Sequence, residues 1–336
     1  MKGRTTLAVL AAAAAVLTGV AAGKSPSGSS TGVGTVFLPS PVAELQNQSL
    51  TDQKDADYAA LQPAYHNVTL TNLDGSGTLT GDWAQVVSET GDPARSATNT
   101  FTYHRNDDRF EQVMAYYWIT EAQKYIQSLG FGTGKFPPVN MKSQRLRINQ
   151  LGYDNSFATD HPVDELRFGK GGVDDAEDAE VILHEYGHAI HFSQNFSFAS
   201  EEAGAISEGF GDYWAADVSN IVAPTPDPAC VADWDSVSYT ATVPHCLRRV
   251  DTSLHYPADL IGRVHDDGQI WSRALWDIRS ALGHVKADTV ILDAQFDFPG
   301  TTMTDLARRT VATAQTLYGK SAAKAVERAF TDRGIL

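Results

Sequence analysis

The stretch "DDAEDAEVILHEYGHAIH", residues 174–191, decides how the rest of the chain is read. Its acids crowd the leading end, where a helix dipole favours negative charge, and the spacing predicts one helix over 174–191. On that helix His184 and His188 stand four residues apart, so both imidazoles can face one point. Glu185 lies just around the same face, within reach of a water held there. Catalytic zinc asks for three protein ligands and an open position. Two histidines and a glutamate at this spacing can also arise by chance on an amphipathic helix, so the third ligand has to be found.

It is found in "EEAGAISEGFGDYWAAD", residues 201–217, which predicts a second helix over about 201–220. An antiparallel return would bring Glu208 to the two histidines. Asp212 sits one turn further on, placed to take the other ring N–H of His184 as a metal-bound histidine requires. Both acids stand among Gly204, Ala205, Ile206, Phe210, Tyr213 and Trp214, poor company for solvated charges.

The chain around these segments has 336 residues, 42% hydrophobic and 20% charged, the balance of a globular protein. A formal charge of -15 with no basic run excludes a nucleic-acid partner. The first residues, "MKGRTTLAVLAAAAAVLTGVAAGK", show a basic start, an apolar Ala-rich run and a small-residue cleavage site. They predict a signal peptide over 1–22 and a secreted, extracellular protein without a membrane anchor. Two cysteines, Cys230 and Cys246, flank "CVADWDSVSYTATVPHC". In an exported chain they are most simply a disulfide, worth about 3 kcal/mol by loop entropy, with a pair of metal ligands as the alternative.

A Ser/Gly linker is expected over 23–35. "VTLTNLDGSGTLTG", residues 68–81, predicts a hairpin at Asp-Gly, and "DRFEQVMAYYWITEAQKYIQSLGF", residues 108–131, a helix stopped by Gly130. Strand-and-turn character returns over 145–172. Further helices are expected from Asp266 or Asp267, over 304–317 and over 321–333. The organisation predicted is therefore α+β: a strand-rich N-terminal lobe over 36–192 ending in the His-Glu helix, and a mostly helical C-terminal lobe over 193–336.

His-Glu-x-x-His followed by "GAISEGFGDYW" resembles the glutamate-zincin metallopeptidases, and the rest of the chain resembles their thermolysin and fungalysin families. The likeness extends to residues 109–131, to "DNSF" at 154–157, similar to an Asn-Ala-Phe substrate strand, and to "VHDDGQIWSRALWD" at 264–277. The resemblance implies a two-lobed thermolysin-like fold and a zinc endopeptidase that hydrolyses internal peptide bonds of protein or peptide substrates as a monomer. It implies zinc on His184, His188 and Glu208, with a zinc-bound water attacking and Glu185 as general base. Asp212 would orient His184, and His265 would hydrogen-bond the oxyanion of the tetrahedral intermediate. Asn155 and the backbone of Ser156 and Phe157 would hold the substrate as an added strand. An apolar preference after the scissile bond is implied as well.

The sequence departs from the family pattern in three places. Ser207 stands where an Asn usually precedes the ligand glutamate. No tyrosine lies between Ala189 and Ser207 as a second oxyanion donor, which leaves Tyr256, Tyr239 or no residue. The arginine expected on the substrate carbonyl is assigned to Arg249, with its neighbour Arg248 as the alternative. Only about a dozen residues follow the signal peptide before mature-looking sequence, where such enzymes carry a long inhibitory pro-region. Asp174, Asp175, Asp178 and Glu180 admit calcium, though a helix N-terminus attracts acids without any ion. Nothing resembles the amine-gripping Gly-Ala-Met-Glu-Asn of related aminopeptidases. The other class is an exported binding protein retaining a structural zinc, with His191 as fourth ligand; an intact Glu185 speaks against it.

Overall fold

The structure is a computed structural model, and it describes residues 29–87 and 92–336. The expected signal peptide lies outside them. Ser30–Val36 forms β1, so the end of the expected linker is a strand; its small residues are needed there, since a Cβ on Gly32 would come 2.4 Å from the Asn99 carbonyl oxygen. The short helix α1 is Pro41–Leu45, followed by β2, His66–Leu73. β1 pairs antiparallel with β2 and parallel with β4, Thr100–Phe101, which follows the short β3, Ala84–Val86. The hairpin expected at Asp-Gly turns as predicted at Gly75 and Gly77, but its return arm makes only isolated bridges.

Helix α2, Arg109–Ser128, packs on these strands and ends where Gly130 takes a φ of +104°. Beside it lies a sheet in the order β3-β5-β7-β6, with β5 Gln144–Leu151, β6 Phe157–Thr159 and β7 Glu165–Gly169. β3, β5 and β7 run parallel, while β6 runs antiparallel at the edge, leaving one side of its backbone unpaired within the sheet.

The two helices that matter most follow. α3 is Ala179–Ser193, capped by Asp178, whose carboxylate accepts from the Glu180 N–H. α4 is Glu201–Val222, capped by Ser200. The segment ahead of α3 is anchored by Arg105, fully buried, which meets Glu177 at 2.9 Å and Asp52 at 2.6 Å. α3 lies between α2 and α4, tied to α2 by the Tyr186 hydroxyl donating to Gln123 at 2.6 Å. After α4 come β8 Cys230–Val231 and β9 Arg248–Arg249, paired antiparallel, then α5 Val264–Leu282, α6 His284–Gln295, α7 Met303–Tyr318 and α8 Lys320–Thr331.

Strands gather in the first half and helices in the second, an α+β arrangement with α3 at the junction. One apolar cluster nevertheless runs continuously from Val36 to Ile335, through α2, α3, α4 and α5. The halves share a core, so α3 is held from both sides, and its position depends on neither alone.

Candidate metal centre and catalytic cleft

Contacts along α3 and α4 run in opposite senses. Glu180 meets Ser219, His184 meets Asp212, and His188 meets Ser207. The helices are therefore antiparallel, and a glycine pair lets them close in. A Cβ on Gly187 would stand 2.9 Å from Gly211 Cα, and one on Gly211 would stand 2.8 Å from His184 Nδ1. α5 presses on α4 from beyond, where a Cβ on Gly209 would come 2.2 Å from the Gly268 carbonyl oxygen.

This packing brings His184, His188 and Glu208 to one point, with ligand atoms within 4.8 Å of one another. His184 Nε2 lies 3.3 Å from Glu208 Oε2, and His188 Nε2 lies 3.7 Å from Glu208 Oε1. Ligands about 2.0–2.1 Å from a tetrahedral zinc stand roughly 3.3 Å apart, so the spacing and the N, N, O donor set both fit that ion. Glu208 Oε2 is buried without a hydrogen-bond partner, as an oxygen waiting for a cation should be.

With no ion between them, the same residues pair with one another. Burial opposes charge on His184, but Asp212 and Glu208 outweigh it and carry its pKa up to about 10. Burial favours a neutral Glu208, yet the histidines around it hold its carboxyl far below the ordinary range. His188, without a carboxylate in hydrogen-bond contact, is driven by burial down to about 4. Glu185 is pushed by burial up to about 7, and its Oε2 is unpartnered.

The supporting residues answer the sequence's departures. His184 Nδ1 stands 2.9 Å from Asp212 Oδ1. Asp212 in turn takes both arms of Arg248 at 2.7 Å. The assignment of the expected arginine to Arg249 is corrected here. Neighbours on a strand face opposite ways, and Arg249 turns to Asp227 and Asp251 while Arg248 turns to the cleft. Ser207, in place of the usual Asn, sets its hydroxyl 2.8 Å from His188 Nδ1 and 2.9 Å from His191 Nδ1. His191 is fully buried, stacked on Phe196 at 4.1 Å, and faces Ser207 rather than the ligand cluster. The sequence offers His191 only as a fourth metal ligand, and its contact with the Ser207 hydroxyl that meets His188 is visible only in the fold.

His265, mostly exposed on the first turn of α5, reaches Glu208 Oε2 at 3.2 Å. Asp267 fixes the approach to it by accepting the N–H groups of Ile261 and Gly262. Asn155 and Ser156 line the cleft just ahead of edge strand β6. Of the candidate tyrosines, Tyr239 lines the cleft with its hydroxyl on Asp235, while Tyr256 lies 3.4 Å from Glu202 on the first turn of α4. Cys230 and Cys246 form a disulfide, with Cα atoms 5.1 Å apart, around the loop that carries Tyr239.

The acids ahead of α3 do not converge on one point. Asp178 caps the helix, Glu180 accepts from Ser219 and the Ala232 N–H, and Asp174 lies 3.8 Å from Lys170. Asp175 instead joins Asp154 and Asp235 in a second cluster.

A family model described as fungalysin metallopeptidase (M36) matches residues 66–295. Among solved structures, the chain is similar to the precursor of protealysin, a metalloproteinase from Serratia proteamaculans, with a TM-score of 0.53. Identity there is 17%, over 66% of this chain and 78% of that one, a likeness of fold. No curated protein matches the chain.

Proposed function

The chain belongs to the fungalysin metallopeptidases (M36), and from that premise we propose that it is an exported zinc endopeptidase. His184, His188 and Glu208 hold the metal, and Glu185 acts as general base. The observation that carries this reading is the convergence of the three ligand atoms on a cleft that Glu185 also lines.

Zinc bound there supplies a Lewis acid beside the scissile carbonyl. The chain's own residues supply the rest. Glu185, lining the cleft beside the ligands, takes a proton from the attacking water and returns it to the leaving amine. Burial raises its carboxyl above the ordinary range, which favours holding a proton between the two transfers. His265 lies at the rim, where an N–H can be given to the oxyanion. Edge strand β6 offers backbone groups to an extended peptide. Since Ser156 Oγ donates to Asp175, what Ser156 offers substrate is its backbone. Asp212 and Arg248 hold His184 from behind.

Export is supported by the signal-like first residues and by the disulfide. Among the described residues no helix is long and apolar enough to cross a membrane. The residues of the site converge within one chain, so no second copy is needed to complete it.

The test is Glu185→Gln in zinc-loaded protein, followed on an unfolded protein substrate with zinc content measured alongside. The variant should keep its zinc and lose cutting by about 10²- to 10⁴-fold. Undiminished cutting would sink the assignment of Glu185. Two proteins that hold zinc and cut nothing would point to an exported binding protein instead.

A further inference from the structure

A second part of the cleft has a different chemistry. A cavity of about 200 Å³ shares His184, Glu185 and His265 with the metal centre and adds Asp154, Asp175, Asp235 and Tyr239. The three carboxylates bring oxygens within 4.8 Å of one another. Asp175 and Asp235 are only 2% and 3% exposed. Each gives one oxygen to a hydroxyl, Asp175 to Ser156 and Asp235 to Tyr239. The other oxygen of each, Oδ1, is buried with no partner.

Buried carboxylate oxygens left unpaired are costly, and a cation in the cavity removes the cost. Arg248, the permanent cation among the lining residues, has both arms on Asp212. Burial accordingly pushes Asp175 up to about 7 and Asp154 up to about 6.

The occupant can be sized. The cavity, at about 200 Å³, has room for a side chain. Calcium takes six to eight oxygens, whereas two of these three carboxylates already give an oxygen to a hydroxyl. An ammonium brings three N–H donors, and a guanidinium five in a planar fork, to the end of an apolar stem. Val181, Val231 and Leu247 line such a stem. The adjoining part of the cleft, with Phe157, Phe192 and Phe198, has as acids only Glu185 and Glu208 of the metal centre.

We infer that this pocket takes a lysine or arginine side chain of the substrate at a position flanking the scissile bond. The inference rests on the peptidase reading and departs from the apolar preference that the family resemblance implies. The protein's net charge of -15 adds a long-range pull on basic substrates.

Two measurements test it. Cleavage sites in a mixed peptide library, read by mass spectrometry, should show Lys and Arg enriched at least tenfold over Leu and Phe at one flanking position. Asp175→Asn with Asp235→Asn should lower that ratio at least tenfold. Apolar residues at both flanking positions would overturn the inference. The second measurement is independent of turnover: zinc-loaded Glu185→Gln should bind a lysine peptide at least tenfold tighter than its norleucine counterpart. Equal binding would overturn the inference, whereas discrimination by the variant beside a zinc-loaded wild type that cuts nothing would uphold the pocket and sink the peptidase reading. Stoichiometric calcium binding, lost in Asp175→Asn and blocking the lysine peptide, would make the pocket a metal site and overturn it too.

Discussion

Replacing Ser207 with alanine tests how the second metal histidine is held. With His188 Nε2 turned to the metal position, its Nδ1 must carry the proton and donate to Ser207 Oγ, 2.8 Å away. That hydroxyl then donates to His191 Nδ1 at 2.9 Å, which leaves the His191 proton on Nε2. Alanine orphans two ring nitrogens in a place where Ser207 is 1% exposed and His191 not at all. Each buried orphan costs about 1–3 kcal/mol, shared between folding and metal binding. Loss of such an outer partner typically weakens metal affinity by about 10- to 100-fold. Competition with a zinc chelator should show that loss, and Ser207→Thr, which keeps the hydroxyl, should recover most of it. Zinc affinities of wild type and Ser207→Ala within a factor of about two would refute the relay. The measured loss belongs in affinity: fully loaded Ser207→Ala should keep most of its activity, because Ser207 touches no reacting atom.

Other outcomes follow from the same geometry. Gly211→Ala drives a Cβ to 2.8 Å from His184 Nδ1, so thermal melting and zinc titration should show both lower stability, by about 1–3 kcal/mol, and weaker zinc binding. Arg248→Lys replaces a two-armed contact on fully buried Asp212 with a point charge. It should lower stability by more than about 1 kcal/mol in denaturant titration, which an exposed ion pair would not do. Burial raises the pKa of Asp233 to about 8, against about 3.9 unfolded, so the native state holds a proton that the unfolded chain has lost. Stability should therefore fall as pH rises from 4 to 8, at up to ~1.4 kcal/mol per pH unit from this group. Asp233→Asn, which can still accept from Ser40, should flatten that slope in melts at pH 5 and pH 8.

What could be read from the sequence was whatever rests on helical periodicity. The spacing of His184 and His188 and the apolar neighbours of Glu208 and Asp212 sufficed to predict two antiparallel helices meeting at one point, as they do. The caps Asp178 and Ser200 mark both starts. α6 was invisible because its core residues, among them Ala287, Asp288, Val290, Ile291 and Leu292, leave no polar stripe to give a period. Arg248 could not be told from Arg249, since a strand of two residues carries no alternation to read. The acidic pocket was hidden more deeply. Its aspartates come from the turn after β5, the lead-in to α3 and the disulfide loop, and only the folded chain makes them neighbours.

The contact of Gly187 with Gly211 fixes how near α3 and α4 can lie. Each helix is backed by a further one, so that spacing is held by packed backbone and not by side chains that could rotate away. The metal centre is thus assembled by two residues that have no side chain at all: a Cβ at either would part the helices and carry Glu208 away from His184 and His188.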